Sequence, residues 1–362
     1  MNASSPQEFV THDHAADLSA EALLRAHRLM LLARKLDERC WILHRQGKIA
    51  FHISGIGQEA CQLAAGLALQ AGSDYYFPHY RDLVTVLTLG LRPVDIFLGT
   101  YGKATDPSSG GRQMPNHYNL ASQRIVTTSS PTTTQVPQCA GMAFAIKLRG
   151  EPLVAMCALG EGATSQGDWH EGLNWAGIHK LPFVCMVENN HYAISVPLEK
   201  QMAVAGAAER GYAYGMPGVA FDGNDFFESY NVAKEAVERA RRGEGPSLIE
   251  ARTTRLTAHS SDDDDRTYRD RAEIEAQKQR DPLPRLGRAL IERGLLDEAA
   301  LRRLEQEVLA EIDQAQADAL AAPYPQAEEA LEGVFEAGSV GDRAVRSWNW
   351  PGGRLVSSAK ER

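Results

Sequence analysis

Residues 152–190 read PLVAMCALGEGATSQGDWHEGLNWAGIHKLPFVCMVENN, and this stretch decides the fold. Pro152–Leu159 is a short apolar run suited to a buried strand, and Gly160-Glu161-Gly162 breaks it. Gln166–His179 places Trp169, Leu173, Ala176 and Ile178 at helical positions, and Phe183–Val187 is a second buried-strand run ending in Glu188-Asn189-Asn190. Strand, glycine turn, helix and strand in so short a span make a βαβ unit, which requires parallel strands. Parallel strands end on a common rim, so the residues after each run are brought to the same edge of the sheet.

The alternation continues outward. Asp225–Arg242 reads as a helix ending before Gly243 and leads to a strand at Ser247–Leu256. Upstream, Leu23, Ala26, Met30, Ala33, Leu36, Cys40 and Leu43 recur every three or four residues, predicting a helix from Ser19 that stops at Gly47. A second apolar segment, Glu59–Ala71, stops at Gly72. Between Asp74 and Ser130 the chain is dense in Gly, Pro, His and Tyr and reads as a long irregular region of the kind that carries function. After Ala258 comes a highly charged loop, HSSDDDDRTYRDR, whose acidic run Asp262–Asp265 reads as a solvated face. Amphipathic helices follow at Pro284–Arg293 and Asp297–Leu320, the second with Leu301, Leu304, Val308, Ile312, Ala315 and Ala319 on one stripe. The predicted class is α/β, a doubly wound, mostly parallel sheet flanked by helices with a C-terminal helical extension. Its divisions are a loose arm at 1–17, an α/β domain at 18–322 and a tail at 323–362 lying on a partner.

Composition narrows the function. Of 362 residues, 43% are hydrophobic and 23% charged, ample for a buried core. Lys+Arg total 38 against 47 Asp+Glu, and a net charge of −9 without clustered basic residues disfavours nucleic acid as a partner. The five cysteines form no CxxC pair and have mostly apolar neighbours, which reads as reduced core thiols. No run approaches the roughly 20 apolar residues of a membrane span. The N-terminal residues show neither a secretory nor a transit pattern, so a cytoplasmic location without membrane association is expected.

Gly160-Glu161-Gly162 is neither a Rossmann GxGxxG nor a Walker A loop, and taken alone it reads better as a tight βα turn with an incidental Glu. Asn189-Asn190 alone fits a strand-ending turn. Together, on neighbouring parallel strands, Glu161 and Asn190 converge. A carboxylate, an amide oxygen and a nearby carbonyl are the hard-oxygen set that Mg²⁺ selects, with phosphate oxygens and water completing the octahedron.

That pairing resembles the thiamine-diphosphate signature, GDG followed by NN. From roughly Leu18 to Phe335 the chain is similar to the alpha subunits of 2-oxo acid dehydrogenases, the decarboxylating component of those multienzyme complexes. The likeness is carried by GIGQEA at 55–60, FPHYRD at 77–82, GRQMPNHY at 111–118, SSPTTTQVPQCAG at 129–141, GEGATSQGDWHEGLNWA at 160–176 and ENNHYAIS at 188–195. GRQMPNH and HSSDDDDRTYR look like the branched-chain members, whereas pyruvate members show GGSMH- and HSMSDP-type loops. The resemblance implies the thiamine-diphosphate-binding fold, with Mg²⁺ held on the diphosphate by Glu161, Asn190 and the Tyr192 carbonyl. It places Gly160, Gly162, Tyr80 and Arg81 at the cofactor, Ser130 and Thr132 against the thiamine, and His259 as the catalytic histidine. Ser129, Pro131, Thr134 and Gln135 would correspond to a potassium site of animal members.

Two departures stand out. Glu161 replaces the commoner Asp, as in some branched-chain members, and Ala258 stands where animal branched-chain enzymes have a first histidine. The resemblance further implies a beta subunit in a two-alpha, two-beta heterotetramer, a lipoyl-bearing acyltransferase partner and a small 2-oxo acid substrate, with no activity for this chain alone. The alternatives are a pyruvate or acetoin dehydrogenase alpha subunit, and a non-catalytic nucleotide-binding subunit that kept the fold. Read without the resemblance, Arg81 beside Asp82 fits a surface ion pair, and His259 a solvated loop histidine.

Overall fold

The structure is a computed structural model and describes residues 9–331. Its strands are β1 (Tyr75–Phe77), β2 (Ala155–Gly160), β3 (Phe183–Asn189), the short hairpin β4 (Tyr192–Ala193) and β5 (Val196–Pro197), β6 (Gly218–Asp222) and β7 (Ser247–Arg252). Five of them form one sheet in the order β1-β2-β3-β7-β6, with every neighbouring pair parallel. The helices are α1 (Ala20–Arg45), α2 (Glu59–Ala68), α3 (Leu83–Thr88), α4 (Pro93–Thr100), α5 (Gln135–Arg149), α6 (Gly167–His179), α7 (Phe226–Arg241), α8 (Arg271–Lys278), α9 (Pro282–Glu292) and α10 (Glu298–Ala321).

Side chains on the central strands alternate between two cores, as the pleat requires. Met156, Ala158, Val184, Met186, Ile249 and Ala251 pack with residues of α1, α2 and α7 on one face. Ala155, Cys157, Leu159, Phe183, Cys185, Val187 and Leu248 pack with α5 and α6 on the other. Helices on both faces make the sheet doubly wound, and both faces being dry explains why β2 and β3 are continuous apolar runs. All five cysteines are free and buried. Among the described residues no helix is long and apolar enough to cross a membrane.

The helix starts follow from capping. Ser19 Oγ accepts the Ala22 N–H (3.2 Å), Asp225 accepts that of Glu228 (2.9 Å) and Asp297 that of Ala300 (2.6 Å).

The structure departs from expectation in several places. The region 74–130 is not irregular throughout, since it holds β1, α3 and α4. These elements are short, and their buried residues (Leu83–Leu87, Ile96–Leu98) are too few to show a period. Within the arm expected at 1–17, residues 14–17 instead form a 3-10 turn that buries Ala15, whose N–H reaches Asn231 of α7 at 2.7 Å. Two members of the α10 stripe, Leu301 and Leu304, are only half-buried. Most of the tail expected at 323–362 lies outside the described residues. Its described start is held by Lys103, whose Nζ lies 3.7 Å from the centre of the Tyr324 ring.

Candidate active site

Loops leaving the carboxyl ends of β1, β2, β3 and β7 meet on one rim, and side chains from all four line a single cavity of about 410 Å³. Tyr80 and Arg81 follow β1, Glu161 and Gly162 follow Gly160 at the end of β2, Asn190 and Tyr192 follow β3, and His259 follows β7. Ser130 and Thr132 come from the turn before α5. Every residue expected at the cofactor or the divalent ion is therefore brought to one place.

Glu161 opens a 3-10 turn and is 1% exposed. Its Oε2 accepts the backbone N–H of Asn190 at 3.2 Å and its Oε1 accepts Gln201 Nε2 at 3.3 Å. Burial raises its pKa, partly opposed by these hydrogen bonds and by Arg255. A buried carboxylate with spare lone pairs and no ion pair among the described residues fits a divalent cation. Gly162 is needed for a reason other than ligand approach. A Cβ there would lie 2.5 Å from Ala193 Cβ, so the glycine lets the β4–β5 hairpin close over the turn.

Tyr192 sits in a strained bend, with His191 at φ 71° and Ile194 at φ 55°. A β-branched residue in the left-handed region costs about 1–3 kcal/mol and persists only when its surroundings enforce it. Here Arg255 Nη2 donates to the Ile194 carbonyl at 2.9 Å. The Tyr192 hydroxyl donates to Glu273 of α8 at 2.8 Å, and its hairpin partner Pro197 has no N–H to offer the Tyr192 carbonyl. Among the described residues that carbonyl has no donor, which leaves it able to serve as an oxygen ligand.

Arg81 is not in a surface ion pair, because it is 1% exposed and Asp82 is fully buried. Arg81 Nη1 donates to the Ser54 carbonyl (2.5 Å), and Nη2 donates to His259 Nδ1 (2.9 Å) and to the His259 carbonyl (3.0 Å). A guanidinium only donates, so His259 Nδ1 is an acceptor and the ring is neutral with its hydrogen on Nε2. Burial, reinforced by Arg81 and Arg255, pushes the His259 pKa down to about 3. Nor is His259 a solvated loop residue: its N–H donates to Asp263 Oδ2 (2.8 Å), which also accepts the Tyr268 hydroxyl (2.5 Å). Tyr268 in turn accepts Arg255 Nη2 at 2.8 Å. The acidic run is thus only half a solvated face. Asp263 and Asp265 turn towards His259 and Arg269, while the Asp262 and Asp264 side chains are 65% and 50% exposed.

Ser129 and Pro131 line an adjoining cavity of about 470 Å³ that shares Met114, His117 and Ser130 with the first. Thr134 Oγ1 donates to the Pro131 carbonyl (3.1 Å), and Gln135 Nε2 donates to the Ala158 carbonyl (3.0 Å). Gln135 Oε1 is left buried without a donor among the described residues, an acceptor that a monovalent cation would satisfy.

The cavity also holds residues that the sequence reading missed. His79 and His117 line it, the latter with Nε2 2.5 Å from Ser130 Oγ. Gln201 and Arg255 act on Glu161 and Ile194 from outside it. A charged residue within the run 247–256 was the one available signal for Arg255; nothing local marks Gln201.

An α/β sheet whose strand ends gather a buried carboxylate, an amide, a guanidinium and a neutral imidazole around one cavity has the makings of an enzyme site for an anionic cofactor. The chain belongs to the dehydrogenase E1 component family, whose model matches residues 27–328, and it is an oxidoreductase component of that kind. It is 49% identical over 326 residues to the 2-oxoisovalerate dehydrogenase subunit alpha of Bacillus subtilis, covering 90% of this chain and 99% of that protein. It is 39% identical over 314 residues to the pyruvate dehydrogenase E1 component subunit alpha of Staphylococcus aureus, covering 86% and 80%. To the mitochondrial 2-oxoisovalerate dehydrogenase subunit alpha of Mus musculus it is 38% identical over 283 residues, covering 78% and 63%. Membership implies thiamine diphosphate as cofactor and a beta subunit as partner.

Proposed function

We propose that this chain is the alpha subunit of a branched-chain 2-oxo acid dehydrogenase, working with a beta chain as a two-alpha, two-beta assembly and passing its acyl product to a lipoyl-bearing acyltransferase. The observation that carries this reading is the convergence of Glu161 and Asn190 beside Arg81 on one rim of a parallel sheet. Phe51, Ile53, Met114 and Ile194 give the same cavity an apolar side that suits a branched aliphatic substrate. The long match to the Bacillus subtilis protein supports the same substrate class.

Bound thiamine diphosphate supplies the electron sink for decarboxylation. In this reading Glu161, Asn190 Oδ1 and the Tyr192 carbonyl hold Mg²⁺, whose charge the buried carboxylate offsets. Tyr80 and Arg81 hold the diphosphate, with Gly160 and Gly162 shaping the turn, and Ser130 and Thr132 lie against the thiamine. His259, kept neutral with its hydrogen on Nε2, presents that N–H as a hydrogen-bond donor to charge developing on the substrate. Ser129, Pro131, Thr134 and Gln135 hold K⁺, which the unpartnered Gln135 oxygen favours.

The test is co-expression with the beta chain and a decarboxylation panel across 2-oxo acids. Branched substrates turned over faster than pyruvate support the reading. Preference for pyruvate assigns the chain to the pyruvate type instead, and failure to bind thiamine diphosphate with Mg²⁺ refutes both.

A further inference from the structure

Residues 46–58, between α1 and α2, form neither helix nor strand, yet His52, Ser54 and Gly55 are buried and Phe51 and Ile53 line the cavity. Backbone in such a stretch has no ladder to satisfy it and depends on side chains. Asn116 serves Ile53, donating to its carbonyl at 3.2 Å and accepting its N–H at 3.3 Å. Asp37, on α1 and 2% exposed, serves the residues on either side of Ser54. Its Oδ1 accepts His52 Nε2 and its Oδ2 accepts the Gly55 N–H, each at 2.9 Å.

Those two bonds straddle the Ser54 carbonyl, which accepts Arg81 Nη1. The approach is close, since a Cβ on Gly55 would lie 2.6 Å from the Arg81 carbonyl oxygen. The same stretch also meets the loop carrying His259: the His52 N–H donates to Ser261 Oγ (3.1 Å), and the Ser261 N–H donates to the His52 carbonyl (2.9 Å). Arg81 Nε has no acceptor among the described residues, so the guanidinium takes its direction from Ser54 on one side and His259 on the other.

We propose that Asp37 is a positioning residue. By holding His52 and Gly55 it fixes the Ser54 carbonyl, and that carbonyl directs Arg81 at the cofactor. Asp37 does not line the cavity, so it acts only through Arg81. This rests on reading the cavity as a Mg²⁺–thiamine diphosphate site with Arg81 on the diphosphate.

The experiment is a double-mutant cycle on the co-expressed alpha–beta complex, read by titrating thiamine diphosphate at saturating Mg²⁺. Asp37→Leu keeps the branched shape but accepts neither hydrogen, and should bind about tenfold more weakly. In the Arg81→Ala background the same change should cost less than about threefold, because the group that Asp37 directs is gone. Asp37→Asn can accept the Gly55 N–H and donate its own hydrogen to Nε2 of the other His52 tautomer, so it should stay within about threefold of wild type. Equal losses from Asp37→Leu in both backgrounds overturn the proposal and leave Asp37 a structural residue. Wild-type affinity in Asp37→Leu overturns it too, as does Asp37→Asn binding as weakly as Asp37→Leu. If Asp37→Leu fails to assemble, His52→Phe takes its place in the cycle. That change removes one of the two bonds and should weaken binding about fivefold with Arg81 present and not without it; an equal or absent loss overturns the proposal. Wild type that binds no cofactor brings down the function reading and the role of Asp37 with it, whereas additive losses bring down the role of Asp37 alone.

Discussion

Arg81 donates from one nitrogen to both Nδ1 and the backbone carbonyl of His259, at 2.9 and 3.0 Å. The residue proposed to hold the diphosphate and the residue proposed to present an N–H to the substrate are therefore one hydrogen-bonded unit. Arg81→Ala should weaken thiamine diphosphate roughly 10–100-fold, the loss of a charge-assisted bond of about 1.5–3 kcal/mol. It should also lower turnover at saturating cofactor, because His259 loses the donor that fixes its ring. Cofactor titration with steady-state rates on the alpha–beta complex checks both; wild-type turnover at saturation would show the two residues to be independent.

His259→Ala removes the proposed N–H donor and leaves the proposed metal ligands in place. Cofactor affinity should change little while turnover falls by something like 10²–10³-fold, the usual span for loss of one preorganised donor. Equal losses in affinity and turnover would make His259 a binding residue.

Glu161 is a buried carboxylate whose pKa is raised by its burial. Glu161→Gln should weaken Mg²⁺-dependent cofactor binding by one to two orders of magnitude. In the metal-free protein the same change removes an uncompensated charge, so the unfolding temperature should hold or rise. A fall in that temperature equal to the loss seen with metal would mark Glu161 as a structural acceptor.

His27, on α1, packs against Gly287 of α9, where an added Cβ would sit 3.2 Å from its Nε2. Burial pushes its pKa down to about 4. The unfolded chain takes up this proton near pH 6.5 and the folded chain only near 4, so stability drains away as pH falls through that window and levels off below it. From pH 7 to 5 the loss is about 2 kcal/mol. His27→Met should flatten that part of the acid limb in denaturant unfolding at the two pH values; an unchanged slope would assign the limb to other groups.

Much of the site was legible because a parallel sheet converts sequence position into place. Strands β2 and β3 are dry on both faces and read as plain apolar runs, and their first polar residues after the runs had to share a rim. Other elements were hidden for identifiable reasons. β1 spans only Tyr75–Phe77, and α5 carries Pro137 in its first turn, where a missing N–H costs nothing but the sequence reads as a loop. β6 is an edge strand with one buried residue, Phe221, and so lacks an apolar run. The bond from Gln201 to Glu161 crosses forty positions and depends on the strained hairpin, which no local pattern announces. The plain alternative for Arg81 and Asp82, a surface ion pair, fails because each has buried partners elsewhere.

A single measurement bears on the whole account: anomalous diffraction from the alpha–beta complex grown with thiamine diphosphate and Mn²⁺ in place of Mg²⁺. One peak should lie between the Glu161 carboxylate and Asn190 Oδ1, about 2.0–2.3 Å from each, with cofactor phosphate on its far side. A peak elsewhere, or bound cofactor with no metal between those two residues, would contradict it.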